Sequence, residues 1–298
     1  MPFPPFYKYL DIQGAKLTLG NRAFKHAKPS DFNDTEDLTI RSIFPEDDQA
    51  ALKQMENGFT DVLLKHLNDP PTCLNPELRK KVSLLQEIFK KNPDAANLVK
   101  EAKAKGDRPE IFDLDQVKKR NSGFVDEINQ FMQGWRVLCV SERKDSERMW
   151  ARYAENHQGI VLRIVPNLGK DSKYQLFGRV EYRATRPSLY ESALSFQEGS
   201  LFGDQERRIR TAMEKIIYSK TLEWDYEKEY RLAIPVRPGE NWNTLAYHPE
   251  EISELYLGAN ATTELKAEIV GLAQALNPQI SIFQMFHDAN GKLVFRSR

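Results

Sequence analysis

Two carboxylates and a guanidinium recur at every second position in the stretch Trp224, Asp225, Tyr226, Glu227, Lys228, Glu229, Tyr230, Arg231. Side chains alternate between faces along an extended chain. Glu227, Glu229, Arg231 and Ala233 would then share one face, with Tyr226, Lys228, Tyr230, Leu232 and Ile234 on the other. Acids one repeat apart lie ~7 Å from each other on a strand. Aimed into a cleft, they suit stabilisation of a cationic, sugar-like transition state, because a fixed carboxylate acts as charge develops. Aimed at water, they make an ordinary charged surface balanced by Lys228 and Arg231.

Four other groups of residues carry possible chemistry. Asn33, Asp34 and Glu36 offer three oxygen ligands within four residues, suited to a hard cation or a ribose hydroxyl. The same side chains suit hydrogen bonds within their own loop, which is the simpler reading. Trp150, Tyr153 and His157 follow helical spacing, so they read first as core packing and second as a shelf for a flat ligand. His157 falls at a helix end, where the dipole favours a charged imidazole; a structural role remains the plainer reading. Lys8 and Tyr9 are consecutive on a strand and face opposite ways, with Lys8 expected at the cleft. Ser141 closes a buried strand.

The elements that must position these residues follow from pattern and punctuation. Phe6–Leu10 reads as a short aromatic strand, with Pro4 and Pro5 blocking earlier pairing. Residues 11–19 hold a helical turn or a little more, and Arg22–Ala27 a second strand. Residues 46–134 place apolar side chains at helical spacing and read as an insertion of three or four helices within one domain spanning 1–298. Lys and Arg outnumber Asp and Glu by 12 to 7 from Arg79 to Arg120. That stretch reads as a solvated helical face, with a partner or nucleic-acid surface as the alternative. Trp135–Ser141 is a buried strand, Ser146–His157 a helix, and Ile160–Val165 and Gly178–Tyr182 further strands. A helix or two fill residues 188–220. The strand of the acids comes next, then a strand at Ile252–Gly258, a helix at Thr262–Leu276 and a strand at Ile280–Phe286. The class is α+β, with a mixed or mainly antiparallel sheet.

Four stretches together resemble the DUF2971 family of bacterial and phage proteins of unassigned function. They are Tyr7 to Tyr9; Asp31 to Glu36; Met149 to Ala154 with His157 and Gly159; and Trp224 to Arg231. The likeness runs from residue 6 to about 258, interrupted by the helical insertion. Thr35 stands where the family often has Pro. More distantly, the order of a basic strand, a strand ending in Ser and a Glu-x-Glu strand is similar to ADP-ribosyltransferases of the Arg/Ser/Glu type. That resemblance implies an NAD-consuming enzyme, a toxin or an anti-phage defence effector. Glu229 would be its essential carboxylate and Glu227 would orient the acceptor. Lys8 would hold a phosphate or ribose of NAD, where the family usually has Arg. Ser141 would stand for the usual Ser-Thr-Ser. NAD enters as substrate, no metal is expected, and the acceptor is an unidentified protein or nucleic acid.

Other readings stay open: a metal-dependent nuclease or phosphodiesterase sharing Mg²⁺ among Asp34, Glu36, Glu227 and Glu229, and a non-catalytic regulator gripping a partner through its helical insertion. Composition narrows the field. The 298 residues have zero formal net charge, 40% hydrophobic and 29% charged content, so no global field draws the chain to nucleic acid or anionic membrane. Cys73 and Cys139 form no metal-ligand spacing and no disulfide framework, which favours a reducing, cytoplasmic setting. The first residues lack a signal-peptide pattern, and no window reaches the ~18 apolar residues of a membrane span. Dinucleotide-binding, P-loop, zinc-peptidase and hydrolase-elbow motifs are absent.

Overall fold

The aromatic strand near the start pairs with a neighbour on each side, and the rest of the sheet is built outward from it. The computed structural model describes residues 3–104 and 114–298. In chain order the elements are β1 (Phe6–Leu10), α1 (Ile12–Asn21), β2 (Ala23–Lys25), α2 (Asp48–Lys65), α3 (Pro76–Lys91), α4 (Asp94–Ala104), α5 (Leu114–Met132) and β3 (Trp135–Ser141). Then come α6 (Glu147–Tyr153), β4 (Ile160–Ile164), β5 (Gly178–Arg179), β6 (Glu181–Arg183), α7 (Ala193–Phe202), α8 (Gln205–Ile217), β7 (Ser219–Thr221) and β8 (Glu229–Pro235). Last are β9 (Thr244–Ala246), β10 (Ile252–Leu257), α9 (Thr263–Leu276), β11 (Ser281–His287) and β12 (Leu293–Ser297). The fold is α+β. Among the described residues no helix is long and apolar enough to cross a membrane.

The chain divides into two compact units, one of Met1–Leu38, Phe131–Thr185 and Ile217–Arg298, the other of Thr39–Gln130 and Arg186–Ile216. The second is helical and draws on two separate stretches. Asp47 and Asn75 cap α2 and α3, each accepting from backbone N–H groups of the first turn, as helix starts require. Val62, Leu63, Val82, Phe89, Ala96 and Leu201 form its core. Leu189 N–H donates to Ser42 O (2.9 Å), tying the later stretch to the earlier one. Part of the basic run from 79 to 120 lies outside the described residues.

The first unit holds an eight-stranded sheet in the order β12-β11-β10-β4-β1-β3-β8-β5. Its pairings are antiparallel except β10 with β11. Period-two alternation gives it two different faces. Phe6, Leu138, Val140, Leu162, Leu232 and Leu255 face α1 and α9, whose Ala15, Leu19, Ile269 and Ala273 complete the larger core. Tyr7, Tyr9, Val161, Tyr256 and Met285 face the other way and bury Met149, Trp150 and Ala154 of α6 and its C-terminal end.

Several expected elements are interrupted. The alternation expected from Tyr226 to Ile234 starts late: β7 leads into a 3-10 helix over Leu222–Glu227, and Lys228 takes a left-handed conformation (φ 44°) before β8 starts. Gly178–Tyr182 is two strands, because β5 pairs with β8 while β6 pairs in parallel with β7. The helix expected over Ser146–His157 stops at Tyr153, and Glu155, Asn156 and His157 all have positive φ. The helical turn or a little more expected over 11–19 is a helix of ten residues, Ile12–Asn21.

Two glycines allow the backbone crossing beneath that turn. A Cβ on Gly159 would lie 2.1 Å from Leu10 O, and one on Gly258 would lie 2.1 Å from His157 O. Gly258 N–H donates to Gly159 O at 3.0 Å. The atoms in the way are main chain, which cannot swing aside as a side chain does. Gly159→Ala and Gly258→Ala are each expected to cost about 3 kcal/mol or more, at the upper end of overpacking penalties. Urea denaturation midpoints measure this. Midpoints equal to wild type would mean that the crossing has slack.

Candidate functional site

The acids of the starting stretch point inward. Glu227, Glu229, Arg231 and Asp37 are each buried, at 3%, 4%, 0% and 4% exposure. Ser141 lies opposite both Tyr7 and Glu229 in the sheet register. Glu229 and Arg231 therefore leave β8 on the face that α6 covers, while Tyr230 and Leu232 enter the larger core. Glu227 is not on the strand. The 3-10 helix and the left-handed Lys228 swing it back to the same place.

Arg231 is the hub. Its Nε and Nη2 donate to the two oxygens of Glu229, both at 2.9 Å. Nη1 and Nη2 donate to Asp37 Oδ1 and Oδ2 at 2.9 and 2.6 Å, and Nη1 also reaches the Ile217 carbonyl at 2.8 Å. Lys220 Nζ donates to Glu227 Oε2 (2.6 Å) and Glu229 Oε2 (3.2 Å), lies 3.5 Å from Asp37 Oδ2, and stands 4.7 Å from the Trp224 ring centre. Tyr153 donates its hydroxyl to Glu227 Oε1 at 2.5 Å. Ser141 Oγ donates to the Glu227 carbonyl at 2.6 Å, and Tyr182 accepts from Glu229 N–H at 2.8 Å.

Three carboxylates here face two cations, so the fully ionised cluster carries one excess negative charge. The two glutamates absorb this differently. Burial alone would raise Glu229, but the Arg231 and Lys220 charges outweigh it and hold this carboxyl far below the usual range. Glu227 is raised, first by burial and then by the charge of Glu229, despite the Lys220 ammonium and the Tyr153 hydroxyl. Burial, then the neighbouring Glu227, push the Tyr153 phenol upward, and Tyr153 also engages the Asn33 side chain. A hydrogen-bonded line thus runs from buried Glu227 through half-buried Tyr153 to exposed Asn33.

The other expected residues lie elsewhere. Lys8 pairs with Leu162 in register, so it leaves the sheet on the side opposite Glu229, and its ammonium donates to the Cys139 carbonyl at 3.0 Å. Tyr9 is on the Glu229 face, but it packs edge-on against Trp150 and donates to Arg143 O at 2.9 Å. Trp150 is completely buried and donates from Nε1 to Lys144 O at 2.7 Å. His157 stacks on Trp150, its ring tilted by 8°. Asp34 serves its own loop, accepting from Glu36 N–H at 3.0 Å. Among the described residues, Asp34, Glu36, Glu227 and Glu229 do not gather as a metal-binding group. The residues that do gather are Glu147, His157 and His287.

Three members of the cluster escaped the pattern: Lys220, Asp37 and Tyr182. Lys220 opens the stretch that holds the acids, and Asp37 ends the acidic loop. Their partnership depends on turns that alternation does not encode. Cys139 also belongs, since its thiol bonds Glu229.

Removing the hub leaves Glu229 and Asp37 buried with Lys220, already shared with Glu227, as their one remaining cation. Arg231→Met is therefore expected to cost about 3–5 kcal/mol, read as a lowered urea midpoint. A wild-type midpoint would mean the carboxylates relax to water. Because the folded chain favours protonated Glu227, that residue's contribution to stability is complete below the unfolded value of ~4.3. It is lost as pH rises through the higher folded value. Glu229 has the opposite sign, its contribution fading as pH falls below the unfolded value. Glu227→Gln stays neutral, so its stability should gain on wild type as pH rises above the unfolded value of ~4.3. A constant difference would mean that Glu227 is ionised throughout.

No curated protein and no solved structure matches the chain. Residues 149–232, from Met149 through the acids to Leu232, match the family model described as Protein of unknown function (DUF2971), a shorter span than the 6–258 expected from the four motifs.

Proposed function

We propose that the first unit is an NAD-consuming enzyme of the ADP-ribosyl transfer type in which Glu227 is the proton-handling group. The single observation that supports this reading is a pair of buried glutamates held differently: Arg231 and Lys220 both grip Glu229 and favour its charged form, while Glu227 meets Lys220 and the Tyr153 hydroxyl and is pushed by burial and by Glu229 toward holding a proton. Such separation is how paired carboxylates divide acid and base roles. As the bond between the ribose carbon and nicotinamide breaks, the electron pair leaves with nicotinamide, which departs neutral, and in the same step an acceptor oxygen bonds to that carbon and loses its proton. Glu227 in its ionised form takes it, and a raised pKa makes it the stronger base. Tyr153 lies half-buried between Glu227 and the surface, and its hydroxyl, held by the Asn33 side chain, passes that proton on toward solvent. Glu229 keeps Lys220 and Arg231 in place and biases Glu227. Lys8 has no part in this version. The acceptor would be a protein or a nucleic acid in a toxin or anti-phage setting.

A second reading has its own observation: each of the three buried carboxylates has Arg231 or Lys220 as an internal ion-pair partner. On that reading the cluster is a structural clamp, and the chain works as a non-catalytic regulator.

Nicotinamide release from NAD, with and without protein and nucleic-acid acceptors, separates the two. Glu227→Gln should lower release by about 10²–10⁴-fold with its folding intact, and Tyr153→Phe should lower it less. Release unaffected by Glu227→Gln, or absent from wild type with every acceptor class, would sink the enzymatic reading.

A further inference from the structure

We propose that Glu147, His157 and His287 form a binding site for a divalent transition-metal ion of the zinc type, separate from the Arg231 cluster. His157 Nε2 lies 2.9 Å from Glu147 Oε1, and His287 Nε2 lies 3.5 Å from Glu147 Oε2. The two imidazole rings are 5.5 Å apart. One ligand atom from each residue falls within 4.8 Å of the others. Bonds of ~2.0–2.2 Å to a tetrahedral ion place ligand atoms about 3.3 Å from one another. The three side chains therefore need only small rotamer adjustments to close on one ion. Two imidazoles and a carboxylate are the donors that zinc accepts, while calcium and magnesium prefer oxygen alone.

The three come from separate parts of the fold. Glu147 is the first residue of α6, His287 the last of β11, and His157 lies in the turn after α6. His157 is the preorganised ligand. Its ring is stacked on Trp150, its N–H donates to Trp150 O at 3.3 Å, and its carbonyl accepts from Asn260 N–H at 2.9 Å. Its Nδ1 is buried with no hydrogen-bond partner, so the hydrogen bonding of this ring is confined to the edge that faces Glu147. The Glu147 and His287 side chains are 59% and 39% exposed, so the ion would enter from solvent and keep a water as fourth ligand. Bound there, it would staple the start of α6 to the end of β11.

The test is a titration of the full chain with Co²⁺, followed by displacement with Zn²⁺. Wild type should bind one equivalent, show the visible ligand-field bands of a tetrahedral site, and unfold at a higher temperature with Zn²⁺. Glu147→Gln and His287→Ala alter exposed side chains and should leave the metal-free chain folded. Each should weaken binding by at least about 100-fold, since even outer partners of metal ligands are worth 10–100-fold. Absence of bands and of any thermal shift in wild type would overturn the proposal. Binding of equal strength in both variants would do the same. The readout is independent of nicotinamide release, so this site and the glutamate chemistry stand or fall separately.

Discussion

A guanidinium with no access to water has to be neutralised from inside the protein, and much of the arrangement around β8 follows from that requirement. Arg231 is completely buried. Taking such an ion out of water costs several kcal/mol, recovered only when every donor finds a good acceptor. Glu229 covers one edge of it and Asp37 another, with the Ile217 carbonyl completing the set. Asp37 sits at the end of the loop that carries Asn33, so the same pairing fixes that loop over Tyr153. Leu38, next in the chain, adopts a left-handed φ of 55°. Strain of that kind costs about 1–3 kcal/mol in a non-glycine residue and persists only where surrounding contacts enforce it.

The uneven count of charges gives the cluster its second property. Two cations cannot quiet three carboxylates, and Glu227 is the one left in surplus. It is also the one reached by a phenol that leads toward the surface. Glu229, held by both cations, has no comparable freedom. The protonation of Glu227 therefore sets the net charge of the cluster.

Much of the architecture was legible in the sequence because it rests on periodicity. The buried strands at Phe6–Leu10, Trp135–Ser141 and Ile160–Ile164, the helices of 48–132 and the mixed sheet all follow from alternation or helical spacing. The site was harder to read. That Glu229 and Arg231 share a face follows from parity, while its inward aim is set by the rest of the fold, and Glu227 reaches them by a 3-10 turn and a left-handed Lys228, which no alternation rule contains. Lys8 and Tyr9 were rightly opposed, yet which of them shares the face of Glu229 depends on register with β3 and β4, a long-range fact. His157 was placed on a helical face that ends at Tyr153; three left-handed residues bring it back beside Trp150 by another route. The split of Gly178–Tyr182 reflects competition between two sheets for five residues.

The position of β1 has a consequence for biosynthesis. Its two neighbours, β3 and β4, come from beyond residue 134. A ribosome emits this aromatic segment long before either partner exists. At roughly 5–20 residues per second the wait is on the order of ten seconds. Throughout that time Phe6, Tyr7 and Tyr9, all destined for the interior, have neither of their partner strands to pair with. Lys8 in the middle and Pro4 and Pro5 in front are the features that discourage nascent chains from sticking to one another, the first by charge and the others by withholding amide donors.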